Sequence, residues 1–216
     1  MIDFHSHTLL SDGVLLPTEL ARRAKIIGYR ALAITDHVDA SNINEVISQL
    51  KRFADSFENT DEFTVVTGVE LTHIPPAQIA PMAKEARELG ASVVICHGET
   101  IAEPVIEGTN LAAIEAGVDI LAHPGLITED ECRLAKERGV LLELTSRKGH
   151  SLTNGHVARL AKLTQCSLIL NTDSHAPSDL ITKDEAARII YGAGLDAEDL
   201  RRIQDNAQSL LNKVSR

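Results

Sequence analysis

The sequence has few cysteines and pairs none of them in a short motif. Its three cysteines, Cys96, Cys132 and Cys166, are odd in number, and no two of them form a CxxC pair. Neither a disulfide framework nor a thiolate zinc site is therefore indicated. We expect these three side chains to be packing residues.

Long apolar runs and an excess of basic residues are also missing. No stretch reaches the roughly 18 consecutive apolar residues that a membrane helix needs. Met1-Ile2-Asp3-Phe4 lacks the basic and apolar regions of a signal peptide, so we expect a cytoplasmic protein with no membrane association. The 21 Lys and Arg against 31 Asp and Glu give a formal net charge of −10. That balance disfavours a nucleic-acid scaffold, because phosphate backbones are held mainly by Lys and Arg.

No Pro-rich, Ser-rich or low-complexity linker divides the chain. At about 150 residues per domain, its length is nearer to one domain than to two, and we interpret residues 1–216 as a single domain. Helical segments alternate with short apolar runs, which is typical of a βα-repeating fold. Because the runs are almost entirely apolar, they predict parallel strands that are buried on both faces and have helices outside.

The pattern predicts seven strands and eight helices. The strands cover residues 2–5, 31–35, 64–69, 92–96, 119–122, 140–144 and 167–171. The helices cover residues 17–27, 43–57, 79–89, 111–116, 129–138 and 156–163, followed after about residue 180 by 183–191 and 197–214. The last helix is expected to pack across one end of the fold. Glycine tolerates the left-handed conformation that closes a helix, so four helices are predicted to end at Gly28, Gly90, Gly117 and Gly139.

Side chains of the metal-ligand type lie at or just beyond the C-terminal ends of these strands. The sixth predicted strand is the exception and has no evident ligand. In parallel βα folds these strand ends face one crevice, where active sites form. Residues two apart in an extended segment share a face, so His5 can act with His7, and Asp173 with His175. The full set is His5, His7, Asp12, His37, Glu70, His97, His123, Asp173 and His175.

Such a concentration of imidazoles and carboxylates predicts bound metal ions. Burying these groups without partners would cost on the order of 1–3 kcal/mol for each unsatisfied group, and more for charged ones. Imidazole and carboxylate donors without a thiolate suit Zn, Mn or Fe better than Ca or Mg. At about three or four protein ligands per open catalytic ion, the set can hold two to three divalent ions.

Seven short motifs contain these residues. They are His5-Ser6-His7, Ser11-Asp12-Gly13, Thr35-Asp36-His37, Gly68-Val69-Glu70, His97-Gly98, Ala122-His123-Pro124-Gly125 and Asp173-Ser174-His175. In this order they resemble the PHP (polymerase and histidinol phosphatase) superfamily of metal-dependent phosphoesterases. The resemblance implies an α/β fold, a distorted (β/α)7 TIM-like barrel, with a trinuclear metal site at the C-terminal ends of its strands.

The resemblance also distributes the ligands over three ions. The first ion would take His5, His7, Glu70 and Asp173, the second Glu70, His97 and His123, and the third Asp12, His37 and His175. Every expected position is present, which favours an active enzyme. The implied reaction is hydrolysis of a phosphate ester by a metal-activated hydroxide. The residues assigned to catalysis are Asp12, His37, Glu70 and His175, which would hold the hydroxide and the ion that receives the phosphate.

The loop after the sixth predicted strand, residues 145–150, is basic and contains a glycine. Arg147, Lys148 and His150 are candidates for binding the phosphate or protonating the leaving group, with a solvated basic turn as the alternative. His73 could face the same cleft, although we interpret it as a turn residue. The expected substrate is a small phosphomonoester, such as histidinol phosphate or a nucleotide-like compound.

Two other functions remain open. An amidohydrolase-like hydrolase would also gather His and Asp at strand ends, but such enzymes usually add a lysine there, and no lysine ends a predicted strand in this chain. A non-catalytic barrel, such as the protein subunit of ribonuclease P or a polymerase-associated module, would be expected to have eroded ligands and a basic surface. This chain has the full ligand set and an acidic composition.

Overall fold

A computed structural model describes residues 1–215 of the protein and shows a parallel α/β barrel. In these residues the strands are β1 Ile2–Asp3, β2 Ala31–Ile34, β3 His37–Val38, β4 Thr64–Leu71, β5 Val93–His97, β6 Ile120–Ala122, β7 Leu141–Thr145 and β8 Leu168–Asn171. The helices are α1 Pro17–Ile27, α2 Ile43–Ser56, α3 Pro76–Leu89, α4 Thr109–Ala116, α5 Glu129–Arg138, α6 Asn154–Thr164, α7 Lys183–Gly192 and α8 Ala197–Val214.

The strands follow the order β1-β2-β4-β5-β6-β7-β8, all parallel, with β3 paired to β4 beyond β2. β2 and β3 therefore share one position, so the described residues form a barrel of seven positions, and the predicted fold class is confirmed. The sequence pattern missed β3, because the strand is interrupted at Thr35 and Asp36. The Asp36 carboxylate accepts hydrogen bonds from Thr8 and Ser11, which ties this interruption to the loop after β1.

The barrel closes between β8 and β1 through isolated hydrogen bonds instead of a regular ladder. Asp173 N donates to His5 O, and His7 N donates to Ser174 O. The side chain of Asn171 accepts a hydrogen bond from Phe4 N. These bonds hold the first and last motifs of the chain side by side.

Strand side chains alternate between two apolar clusters. Those that point outward pack against the surrounding helices, and those that point inward pack with α8 at the end of the barrel where the strands begin. The inner cluster contains Phe4, Ala31, Ala33, Val66, Val93, Ile95, Ile120, Ala122, Ile169, Ala207, Leu210 and Leu211. This confirms that the last helix packs across one end of the fold, and it leaves the opposite end of the barrel open.

Helix ends match the predictions more closely than helix starts. The predicted glycine caps are confirmed: α1, α3, α4 and α5 end at glycines in the left-handed conformation. Helices α3, α4 and α6 begin at Pro76, Thr109 and Asn154, earlier than the predicted residues 79, 111 and 156. These first turns lack the apolar spacing that marks an amphipathic helix, although proline is well suited to the first helical position.

Two expectations about composition can be compared with the structure. The three cysteines are buried and unpaired, as expected of packing residues. Among residues 1–215, no helix combines the length and the apolar character that crossing a membrane requires.

Candidate metal centre

A cavity of about 500 Å³ opens at the C-terminal ends of the strands. Six of the nine predicted ligands line it: Asp12, His37, His97, His123, Asp173 and His175. The other three, His5, His7 and Glu70, are buried beneath them. The structure thus brings all nine residues to the end of the barrel that the parallel topology predicts.

Glu70, at the end of β4, lies at the centre of the buried group. Its Oε1 is 3.3 Å from His5 Nε2 and 3.8 Å from His123 Nε2. Its Oε2 is 2.7 Å from His37 Nδ1 and 3.8 Å from His7 Nε2. A single carboxylate therefore lies within 3.8 Å of four imidazoles, which come from three segments: the loop after β1, strand β3 and the loop after β6.

Asp173, just after β8, is the second buried carboxylate. Its Oδ1 is 3.2 Å from His7 Nε2 and 3.7 Å from His5 Nε2, and its Oδ2 is 3.7 Å from His123 Nε2. Asp173 and His123 have φ angles of 52° and 26°, which are uncommon for residues other than glycine. Such backbone conformations are concentrated at functional sites, where the surrounding structure holds them in place.

A third group of donors lies nearer the cavity mouth. Asp12 Oδ1 is 3.1 Å from His175 Nε2 and 3.4 Å from His37 Nε2. The His7 ring stacks between His37 and His175, with centroid distances of 4.1 Å to each. This is the set that the family resemblance assigned to a third ion, with His7 in addition.

Several buried ring nitrogens and carboxylate oxygens in the centre, which are atoms able to coordinate a metal ion, have no hydrogen-bond partner. They are His5 Nε2, both ring nitrogens of His7, Glu70 Oε1 and His123 Nδ1. Zn–N and Zn–O bonds of about 2.0–2.2 Å place two donors of one tetrahedral ion roughly 3.3–3.6 Å apart. The donor distances above lie near that range, and the donors are imidazoles and carboxylates. The residues therefore fit divalent transition-metal ions.

The two buried carboxylates and two of the imidazoles also have protonation states that suit coordination. Burial opposes the charge on Glu70 and Asp173, but His5 and the other nearby imidazoles hold the pKa of each carboxyl well below its ordinary value. Burial lowers the pKa of His7 to about 3 and also lowers the pKa of His123. Ionised carboxylates and neutral imidazoles are the forms that bind a metal ion.

Glu143, in the middle of β7, is a site residue that the sequence analysis missed. It is fully buried, and its Oε2 lies 2.9 Å from His5 Nδ1. Burial raises the pKa of Glu143 to about 7. A carboxylate in this position fixes the orientation of a metal-binding imidazole. The sixth predicted strand therefore does contribute to the site, and a single charged residue within the apolar run 141–144 was the available signal.

Two other buried carboxylates support the backbone around the centre. Asp3 accepts hydrogen bonds from His5 N and from the amide and hydroxyl of Thr172, next to Asp173. Burial raises the pKa of Asp3 to about 6. Asp36, described above, binds the loop that carries Asp12. Asp3 gave a sequence signal only as a charged residue in an apolar run, whereas Asp36 lies within the motif Thr35-Asp36-His37.

The basic loop after β7 contributes two of its three candidate residues to the cavity. His150 is buried, with Nδ1 2.7 Å from Thr100 Oγ1 and its ring stacked 4.2 Å from that of His123. Arg147 is half-buried in the cavity wall. Lys148 is exposed and is not among the lining residues, so its predicted position at the site is corrected. Burial varies along this turn, because Arg147 is half-buried and His150 is buried, whereas Lys148 is exposed to solvent.

His73 and Glu103 complete the outer wall of the cavity. His73 lies in a turn, with a φ of 53°, but it also faces the cavity, which corrects its interpretation as a turn residue alone. Glu103, in the loop after β5, contacts His73, His97 and His150 at 3.2, 3.2 and 3.4 Å. No motif pointed to Glu103, because its role depends on three histidines from separate loops.

Comparisons with known proteins agree with this architecture. The family model described as "PHP domain" matches residues 3–191. An uncharacterized protein of Methanocaldococcus jannaschii is 48% identical, and the match covers 92% of each chain. A Clostridium botulinum protein with the name "Probable phosphatase" is 24% identical, and the match covers 95% of this chain and 91% of that one.

Solved structures with the same fold belong to proteins of different function. A chain in the cryo-EM structure of archaeal ribonuclease P with mature tRNA has a TM-score of 0.73 at 17% identity, covering 98% of this chain and 91% of that one. Histidinol phosphate phosphatase from Lactococcus lactis, solved with zinc, L-histidinol and phosphate, has a TM-score of 0.62 at 17% identity, covering 90% and 94%. At this identity the similarity establishes the barrel fold.

Proposed function

The chain belongs to the PHP domain family, as its motifs indicated, and we propose that it is a metal-dependent phosphoesterase that hydrolyses a small phosphomonoester. The observation that carries the proposal is the set of buried donor atoms without partners on His5, His7, Glu70 and His123. Divalent cations would satisfy these atoms. The phosphatase names among its relatives and the zinc and phosphate of the Lactococcus lactis enzyme support the reaction class.

We assign the nine residues to two or three divalent ions, with Zn, Mn or Fe as the candidates. His5, His7, Glu70 and Asp173 would hold the first ion, Glu70, His97 and His123 the second, and Asp12, His37 and His175 the third. The contacts of Glu70 with both His5 and His123 support its role as a shared ligand. Bound ions of this kind lower the pKa of water and neutralise charge that develops on phosphate.

The remaining cavity residues are suited to binding the substrate. The Arg147 guanidinium lies in the cavity wall, where it can form a charge-assisted hydrogen bond to a phosphate oxygen. Asp179 Oδ2 accepts hydrogen bonds from Arg147 and from His175 N, so it links the phosphate-binding side chain to the third ligand set. Thr100 holds His150 Nδ1, and His150 Nε2, which lies 3.4 Å from Glu103 Oε1 in the cavity wall, is the atom that would donate a proton to the leaving group.

The size and polarity of the cavity favour a small, polar ester. Its lining consists mainly of imidazole, carboxylate, amide and hydroxyl groups. Histidinol phosphate and nucleotide-like monoesters have a suitable size. We place Asp12, His37, Glu70 and His175 closest to the reacting phosphate, because Asp12, His37 and His175 line the cavity near its mouth and Glu70 is buried beneath them.

A non-catalytic role within a ribonucleoprotein is the second candidate, favoured by the similarity to a chain in the archaeal ribonuclease P structure. The acidic composition and the complete donor set oppose it. RNA binding with no turnover would favour this second role.

The proposal is tested by removing metal, reloading with Zn, Mn or Fe, quantifying bound metal and measuring turnover on phosphomonoesters, phosphodiesters and amides. We expect two or three bound ions per chain and metal-dependent monoester hydrolysis. Asp12→Ala should reduce turnover by about 100-fold or more, as expected when an electrostatic stabiliser of the transition state is lost. Asp55→Ala, on an exposed part of α2, is the matched control.

Three results would count against the proposal. A wild-type protein that binds no metal would refute it, and turnover of amides alone would favour the amidohydrolase-like alternative. Near-normal turnover by folded Asp12→Ala would contradict the third ion.

A further inference from the structure

The outer part of the cavity holds donors of the metal-ligand type that lie outside the nine-residue set. His73, after β4, and Glu103, after β5, have side chains that are 44% and 39% exposed. Both approach His97, whose side chain is only 3% exposed. The donors therefore extend without interruption from solvent to the buried centre.

Three of these donor atoms have the spacing of a single coordination sphere. Glu103 Oε2 lies 3.2 Å from His73 Nε2 and 3.2 Å from His97 Nε2. The Nδ1 of His97 is 3.1 Å from Gly98 O and donates to it, which leaves Nε2 as the coordinating atom. Two imidazoles and one carboxylate also form one of the known protein donor sets for zinc.

His97 belongs to this outer set and also to the inner set that we proposed for the second ion. It has one nitrogen available, so it cannot ligate an outer and an inner ion at the same time. An ion that moved inward could keep His97 while it exchanged Glu103 and His73 for Glu70 and His123. The latter two side chains are almost completely buried, so solvent does not reach them directly.

We propose that His73, Glu103 and His97 form an entry site for a divalent metal ion on its way to the buried centre. The inference rests on the proposed function, because it requires the inner residues to hold metal. An entry site is an intermediate on the path of the ion. Weakening it slows uptake and release by the same factor and leaves the equilibrium affinity of the inner centre unchanged.

The test measures metal exchange on the full chain. Uptake of Co²⁺ by the metal-free protein is followed by its visible absorption, and release of Zn²⁺ is followed with an excess of a chromophoric chelator. The variants are Glu103→Gln and His73→Asn. Glu107→Gln is the matched control, because Glu107 is an exposed glutamate in the same loop. Circular dichroism verifies that each variant is folded.

Both variants should slow uptake and release by about tenfold or more. A factor of about ten is the lower end of the effect that loss of a group supporting a metal site has on metal affinity or activity. Metal content at saturation and equilibrium affinity should match those of the control. Faster release together with weaker binding would identify Glu103 as a permanent ligand and overturn the entry site, and so would rates equal to those of the control. If the wild-type chain takes up no metal at all, the proposed function itself fails.

Discussion

Replacing Glu143 should weaken metal binding while the protein stays folded, because this buried carboxylate orients His5. Glu143 Oε2 lies 2.9 Å from His5 Nδ1, and His5 Nε2 lies 3.3 Å from Glu70 Oε1 on the other side of the ring. The first contact keeps a proton on Nδ1 and leaves Nε2 free for an ion. Glu143→Leu removes the acceptor, whereas Glu143→Gln removes the charge but keeps an acceptor oxygen.

The expected magnitude follows from the loss of an orienting partner, which typically costs about 10–100-fold in metal affinity. At about 1.36 kcal/mol for each factor of ten, this corresponds to roughly 1.4–2.7 kcal/mol. Glu143→Leu should lie near the upper end, because it leaves the fully buried His5 Nδ1 without an acceptor. Glu143→Gln should lie near the lower end, because its amide oxygen can accept the same hydrogen bond.

Equilibrium competition with a chromophoric chelator measures the affinity, and circular dichroism with thermal unfolding verifies the fold. Glu137→Gln, on the exposed surface of α5, is the matched control. The reasoning would be refuted if both folded Glu143 variants bound metal as tightly as the control. Weaker binding by Glu143→Leu alone would show that the hydrogen bond matters and the charge does not.

Three other predictions follow from the same structure. Arg147→Gln should raise the KM for a phosphomonoester by roughly tenfold or more, because hydrogen bonds to charged groups contribute about 1.5–3 kcal/mol. Lys148→Gln, outside the cavity, should leave KM unchanged, and equal KM values for the two variants would contradict the role of Arg147. Burial opposes protonation of the His37 imidazole, but the nearby Glu70 carboxylate favours it, and the pKa of His37 is raised. As the pH falls, protons should therefore begin to displace metal at a higher pH than they would from an imidazole with the ordinary pKa of about 6.5. Chelator competition measured as a function of pH checks this. Leu210→Ala should lower the free energy of unfolding by about 2–5 kcal/mol, measured with urea, because it opens a cavity where α8 closes the barrel; metal content should not change.

The barrel by itself does not determine the activity. The same fold occurs in a chain of an archaeal ribonuclease P structure and in a histidinol phosphate phosphatase. What points to hydrolysis in this chain is the particular set of donors at the open end of the barrel, and above all the buried atoms that lack partners. Function in such folds depends on the site and not on the architecture.

The positions of the nine candidate ligands could be predicted from the sequence because each follows a recognisable local pattern. An apolar run that ends in a histidine or an acid identifies a strand and its C-terminal end, and parallel topology brings those ends together. His5 and Asp173 are far apart in the chain, yet the regular βα repeat was enough to place both at one cavity. The same local reasoning predicted the glycine caps and the position of the last helix.

The partners of these ligands depend on contacts between distant segments, and no local pattern encodes them. Glu143 could be recognised as the partner of His5 only when β7 and β1 were placed on either side of β8. Glu103 meets its three histidines because separate loops converge at the cavity mouth. Arg147 faces the cavity while its neighbour Lys148 does not, because side-chain direction in a turn depends on the packing around it. Local periodicity therefore placed the ligands, and long-range packing selected the residues that orient them.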